Sequence, residues 1–282
     1  MKFHIHTTGC KANQWDSHVI SSLLQEQSHS PVAAREAEVV VINACTLTRG
    51  AEKDIGRFIR QIRRENQEAF IILAGCHGQV YPDTHFGADL VLGQQEKFQL
   101  PRYLGKTGIF VTPGRGMVME SAPATSSGSG KTRFFFKIQD GCDRFCTYCV
   151  VPRARGAPRS RPLEEIIDFM AALRGEGVRE VVLTGIEIGS YRDDRSGADL
   201  KRLLQVLEEA STPERIRISS VDPSSVDEKF VRFAASSRKI AHHFHLPLQS
   251  GSDRLLRRMG RPYTRAHVEE VVQLGGEEVV HR

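Results

Sequence analysis

The sequence predicts an α/β protein with two parallel sheets, and three observations predict it. Short apolar runs of strand length alternate with stretches of helical periodicity along most of the 282 residues. A stretch rich in Gly, Pro, Ser, Ala and Thr (112–131, TPGRGMVMESAPATSSGSGK) interrupts the alternation once and reads as a linker. The three cysteines that precede this stretch each lie just past the end of an apolar run.

Residues 2–6 alternate as a short strand does, ending at Gly9 and Cys10. Val19, Ile20, Leu23 and Leu24 then share one helical face, with Asp16 as the expected N-cap. Val39, Val40, Val41 and Ile42 form a buried-strand run that ends at Asn43, Ala44 and Cys45. Ile55, Phe58, Ile59 and Ile62 repeat at i, i+3, i+4 and i+7, so a helix follows. A third strand is expected over 70–73, ending at Gly75 and Cys76, and a fourth over 90–92. Beyond the linker, strands are expected near 134–138, 180–183, 215–219 and 243–246, with helices near 163–174, 199–210, 226–235 and 264–273. In an open parallel sheet all strand ends of one kind lie on one edge, where ligands bind. Cys10, Cys45 and Cys76 can therefore converge although they are far apart in sequence.

The composition, 40% hydrophobic and 26% charged, is that of a globular protein. No apolar run approaches the ~20 residues of a membrane span, and the opening MKFHIHTTGC lacks the apolar core of a signal peptide. The expected compartment is the cytoplasm, with no membrane partner. A formal net charge of +5 is compatible with an RNA partner without requiring one. In a cytosolic chain, six cysteines point to metal or cluster binding rather than to disulfides.

Cys142, Cys146 and Cys149 form C-x3-C-x2-C within QDGCDRFCTYC, directly after an expected strand. Three thiolates on one loop can clasp a 4Fe–4S cube and leave its fourth iron open to a substrate. Structural zinc wants four ligands and would have to recruit a remote one. Three inert buried cysteines at this density would be a coincidence.

This loop, with an aromatic before its last cysteine, resembles the signature of radical S-adenosylmethionine (SAM) enzymes. The strings GCKANQ (9–14), INACTLT (42–48) and AGC (74–76) resemble the N-terminal domain of the methylthiotransferases of that superfamily. The likeness continues through KIQDGCDRFCTYCVVPRARG, VVLTGIEIG, RIRISS and HLPLQSGSDRLLRRMGRPYT, in the family's order. It implies an N-terminal methylthiotransferase domain (1–111), the linker, and an incomplete radical-SAM (β/α) partial barrel (132–282). It also implies two 4Fe–4S clusters, one held by Cys10, Cys45 and Cys76 and one by Cys142, Cys146 and Cys149. The second cluster would bind SAM through its open iron. Tyr148 would lie near the SAM adenine or serve local packing. Gly185, Glu187, Ser219, Ser220 and Gln249 would line the SAM pocket, or else only end strands and cap helices. No residue is singled out as a catalytic acid or base.

Lys11 after Cys10, RIRISS and HLPLQSGS look most like the branch that methylthiolates C2 of N6-threonylcarbamoyladenosine at position 37 of tRNA. The implied partners are tRNA and an electron donor of flavodoxin or ferredoxin type, and a monomer is expected. Arg153, Arg155, Arg159 and Arg161 are candidates for tRNA phosphates or the SAM carboxylate, or for a solvated loop with local ion pairs. Family members are longer and add an RNA-binding TRAM domain that has no counterpart here, so a truncated product is expected. Three alternatives stay open: a non-catalytic iron–sulfur remnant, a methylthiotransferase acting on isopentenyladenosine tRNA or a ribosomal protein, and a zinc-stabilised RNA-binding module.

Overall fold

The computed structural model describes residues 1–46, 49–114, 116–121 and 133–279. Residues 115 and 122–131 of the expected linker lie outside them, as do residues 47–48 of the INACTLT string and the last three residues of the tail. The chain forms two compact units, Met1–Ala124 with Val150–Ala157, and Thr125–Cys149 with Pro158–Arg282. The class is α/β in both.

The first unit holds β1 (Lys2–Thr7), α1 (Lys11–Glu26), β2 (Ser30–Pro31), β3 (Val39–Ala44), α2 (Arg49–Glu65), β4 (Phe70–Gly75), α3 (Cys76–Val80), β5 (Leu90–Leu92) and β6 (Gly108–Phe110). It also holds α4 (Val151–Arg155). The six strands form one sheet in the order β2-β1-β3-β4-β5-β6, parallel throughout. Alternation along β3 explains why both faces are covered. Val39 and Val41 join Ile20 and Leu24 of α1 in one core, while Val40, Ile42 and Ala44 join Ile55, Ile59 and Ile62 of α2 in the other. The two short strands β2 and β6 carry too few apolar residues to be read in the sequence.

Asp16 does not cap α1. The helix starts earlier, with Cys10 in the N-cap position, because Gly9 at φ +100° ends the strand and nothing in Lys11–Gln14 breaks a helix. The Asp16 carboxylate instead lies in the core and accepts from Lys97 Nζ at 2.6 Å and Arg155 Nη2 at 3.0 Å.

The second unit holds β7 (Arg133–Asp140), β8 (Arg159–Ser160), α5 (Leu163–Gly175), β9 (Glu180–Gly185), α6 (Leu200–Glu209), β10 (Arg215–Ile218), α7 (Glu228–Ser236), α8 (Asp253–Arg258) and α9 (Arg265–Val279). Its sheet runs β10-β9-β7-β8, with β7, β9 and β10 parallel and β8 antiparallel. Phe134 and Phe136 pack on Phe169 of α5, the closer ring centroids 4.5 Å apart. Asp199 caps α6 and Asp227 caps α7, each accepting from the backbone N–H three residues on.

The strand expected over 243–246 is not a continuous strand. Ile240 and His245 make isolated parallel bridges to Ile216 and Ser220 of the β10 edge. Between them the His243 N–H donates to Ala241 O at 2.7 Å, an i to i+2 bond that turns the backbone out of the ladder.

Candidate metal centres

The first unit brings its three cysteines to the carboxyl edge of the sheet. The register pairs Ala44 of β3 with Gly75 of β4, so Cys45 and Cys76 each follow one member of a directly paired couple on adjacent strands. Adjacent strands run about 4.8 Å apart. Cys10 follows β1, whose Thr7 pairs with Asn43. Side-chain bonds fix the turns at Cys10 and Cys45. Asn13 Nδ2 donates to Thr8 O at 2.8 Å, Asn43 Nδ2 to Asn13 O at 2.8 Å, and the Cys45 N–H to Thr8 Oγ1 at 2.9 Å.

Cys10 and Cys45 stand in the wall of a cavity of about 740 Å³ with Thr8, Gly9, Asp54 and Arg57. Cys76 lies outside that wall, buried, where its Sγ accepts from Gln94 Nε2 at 2.8 Å. Gly9 is required at its position. A Cβ there would lie 2.5 Å from Cys45 Cβ and 2.9 Å from its Sγ, on a backbone at φ +100°. Gly9→Ala should therefore cost the chain the metal of this group, roughly four irons if the group holds one 4Fe–4S cube. Iron analysis of the reconstituted variant checks it, and an unchanged count would show that this turn does not position Cys45.

In the second unit β7 ends at Asp140, a buried carboxylate that accepts from Lys137 Nζ at 2.9 Å and Arg159 Nη2 at 3.0 Å. The loop that follows carries Cys142 and Cys149 half-buried and Cys146 buried. The Cys149 N–H closes a turn on Cys146 O at 2.9 Å, and the Thr147 N–H donates to Met259 O at 3.2 Å. Phe145 is 72% exposed and Tyr148 51%, so this loop presents two aromatic rings to solvent.

A polar network backs the loop. Arg144 faces Glu187 at 3.3 Å and Asp222 at 3.1 Å, and Asp222 also pairs with Arg261. Arg261 Nη1 donates to Cys146 Sγ at 3.2 Å. Burial raises the Glu187 carboxyl above its ordinary range, with the Arg144 charge opposing. Burial likewise pushes the Cys142 thiol up.

The other sequence candidates are distributed as follows. Gly185 ends β9 with no room for a side chain, since a Cβ would lie 2.3 Å from Gln139 O. Glu187, two residues on, is in the left-handed region at φ +53°, as is Gln249 at φ +64°. Ser219 is buried just past β10, and Ser220 Oγ lies 2.6 Å from His245 Nδ1. Gly185, Glu187, Ser219 and Ser220 thus follow the same ends of parallel strands as the cysteine loop.

The arginine cluster is mostly not a solvent-facing surface. Arg155 is buried on Asp16, and Arg161 is buried with its Nε on Lys137 O at 3.1 Å and its guanidinium on Glu165. Arg159 serves Asp140, and Arg153 is exposed. Sequence reasoning missed Gln94, Asp222 and Arg261. Arg261 does lie in the GRPYT string, but nothing local to it signals a bond to a cysteine 115 residues away.

All six cysteines are free thiols, three to each group, and soft sulfur donors of this kind suit an iron–sulfur cluster. Three thiols per group is the donor number that such a cluster with one open iron would take. Among the described residues no helix is long and apolar enough to cross a membrane.

Comparison with known proteins agrees with the two-unit division of chemistry. The model of the uncharacterized protein family UPF0004 matches residues 2–93, and that of the radical SAM superfamily matches residues 136–278. Threonylcarbamoyladenosine tRNA methylthiotransferase MtaB of Aquifex aeolicus is 37% identical over 96% of this chain and 68% of its own length. The same enzyme of Thermotoga maritima is 36% identical over 92% of this chain and 61% of its own. The tRNA-2-methylthio-N(6)-dimethylallyladenosine synthase of Dictyoglomus thermophilum is 33% identical over 96% and 64%. The chain thus spans roughly two thirds or less of the length of these relatives. Among solved structures, the radical SAM methyltransferase TsrM of Kitasatospora setae has the same fold at TM-score 0.68 and 17% identity, over 99% of this chain and 66% of that one. The chain belongs to the radical SAM methylthiotransferase family.

Proposed function

We propose that this chain carries out tRNA methylthiolation, adding a methylthio group to C2 of N6-threonylcarbamoyladenosine at position 37. The observation that carries the reading is the pair of cysteine triplets, each at the carboxyl edge of its own parallel sheet. The relatives named for threonylcarbamoyladenosine tRNA support the choice of nucleoside. Cys10, Cys45 and Cys76 hold an auxiliary 4Fe–4S cluster in a domain of residues 1–111. Cys142, Cys146 and Cys149 hold the SAM-binding one in residues 132–282.

When bound, the second cluster supplies reductive cleavage of SAM, and the auxiliary cluster supplies sulfur to the nucleoside. The chain's own share is placement. Cys142, Cys146 and Cys149 would hold the cluster, which would supply the open site for SAM. Tyr148 would lie near the adenine, and Gly185, Glu187, Ser219, Ser220 and Gln249 would line the SAM pocket. Gly185 keeps the wall close to β7, where any side chain would push Gln139 away. Glu187 is oriented by Arg144 from the cysteine loop. The electron comes from a donor of flavodoxin or ferredoxin type, and the work is done with tRNA in the cytoplasm.

The test is to incubate the reconstituted chain with SAM, a strong reductant and tRNA bearing N6-threonylcarbamoyladenosine, then to analyse the digested nucleosides by mass spectrometry. The expected product is the 2-methylthio nucleoside, with 5′-deoxyadenosine released. Methylthiolation of isopentenyladenosine tRNA in its place would move the substrate to that of the dimethylallyladenosine relatives. SAM cleavage without a modified nucleoside from either tRNA would overturn the reading for this chain.

A further inference from the structure

Each cysteine group contains one thiol that accepts from a distant side chain, and the two donors differ in charge. In the first unit the donor to Cys76 is the neutral Gln94 amide. In the second it is the Arg261 guanidinium, 3.2 Å from Cys146 Sγ. We infer that Arg261 is a positioning residue that raises the reduction potential of the cluster on Cys142, Cys146 and Cys149, with Asp222 as its counter-charge. This rests on the cluster reading above.

The geometry holds the guanidinium in one place. Its Nη2 is on Asp222, its Nη1 on Cys146 Sγ, and its Nε lies 3.2 Å from Tyr263 OH. Tyr263 OH is itself anchored, donating to Pro247 O at 3.2 Å and Leu248 O at 3.1 Å. Cys146 is the most buried of the three thiols, 7% exposed, and the Asp222 and Arg261 side chains are 2% and 7% exposed. Screening by water is therefore weaker here than between exposed charges.

Adding one electron to the cluster adds one negative charge and breaks no bond. A cation and an N–H donor on a ligating sulfur stabilise the more negative state, which raises the potential. Asp222 opposes this, because its carboxylate neutralises part of the Arg261 charge. Asp222 is shared with Arg144, whose other partner is Glu187, so the network contains two cations and two carboxylates. Removing one member changes its sum by a full unit. Two substitutions on one ion pair should thus move the potential in opposite directions, which a packing role alone would not produce.

The test uses the full chain carrying C10A, C45A and C76A, so that only the second group reports, in a redox titration followed by electron paramagnetic resonance with iron counted per chain. Arg261→Met should keep its iron and shift the midpoint to more negative potential. Arg261→Lys, which keeps the charge, should fall between Arg261→Met and the parent. Asp222→Asn should shift the midpoint to more positive potential. If Arg261→Met loses its iron, Arg261→Gln replaces it with the same negative shift expected. Full iron with unmoved midpoints, or shifts of the same sign for Arg261→Met and Asp222→Asn, would overturn the inference alone. Loss of iron from the Met, Gln and Lys variants together would make Arg261 a structural tie and overturn it as well. A parent without iron would overturn the cluster reading and this inference with it.

Discussion

Replacing Cys142, Cys146 and Cys149 together by alanine should halve the iron and sulfide of the anaerobically reconstituted chain, from about eight irons to about four. Replacing Cys10, Cys45 and Cys76 should do the same, and the two losses should add to nearly all of the metal. The argument is one of independent anchorage. Each group lies within its own unit, on loops that follow strands of a different sheet. On the proposed reading three thiolates would be the protein's hold on each cube, so removing all three would leave no anchor. The expected loss is also specific in kind. The visible absorption should fall by about half with either triple variant, while the fold of the other unit keeps its own metal. A colourless chain that binds one zinc and no sulfide would exclude the cluster reading and favour a structural zinc site. An iron count that drops to zero in either variant would show that the groups assemble together rather than independently.

Much of this arrangement was legible because parallel sheets confine chemistry to one edge. Once residues 39–42 and 70–73 read as buried strands, Cys45 and Cys76 had to follow strand ends, and β3 and β4 do pair in that register. The helices with strong apolar periodicity, α2, α6 and α7, are equally plain. What the sequence hid has physical causes. Asp16 reads as a cap because an Asp ahead of an apolar-periodic stretch commonly accepts from the first free N–H groups of a helix, and only the fold brings Lys97 and Arg155 to it. Arg155 and Arg161 read either as a phosphate or SAM-carboxylate site or as a solvated loop with local ion pairs; the ion pairs are there, but both side chains are buried. Composition reports that a charge exists, not what meets it. The 243–246 segment reads as a strand, but its pairing with the β10 edge is interrupted by the turn at His243. Arg261 and Asp222 are of the same type: their significance is a distance between loops far apart in the chain.

Asp16→Ala should destabilise the first unit by about 3–5 kcal/mol, the usual cost of removing one partner from a buried ion pair. Its carboxylate is shared by Lys97 and Arg155, and all three side chains are at most 1% exposed. The substitution therefore leaves two buried cations without the anion they share, in a place where water cannot replace it. The same network reaches the candidate metal site. Arg155 also donates to Asn13 Oδ1, and Asn13 holds the Thr8 carbonyl in the turn that carries Cys10. Loss of Asp16 should thus loosen α1 at its amino end and lower iron retention in this group as well as stability.

Trp15 makes the measurement selective. It is the only tryptophan of the chain, fully buried in the first unit, with its Nε1 donating to Glu120 Oε1 at 2.6 Å. Its fluorescence therefore follows unfolding of this unit in urea. The Asp16→Ala midpoint should fall well below that of the parent, and Asp16→Asn, which keeps an acceptor but not the charge, should fall by less. Replacing Asp16, Lys97 and Arg155 together by Leu, Met and Met should recover most of the loss, since apolar packing commonly equals a buried ion network in stability. Recovery of stability without recovery of iron would separate the two duties of the network: the charges would then matter for the turn at Cys10, not for the fold. Recovery of both would make the network purely architectural.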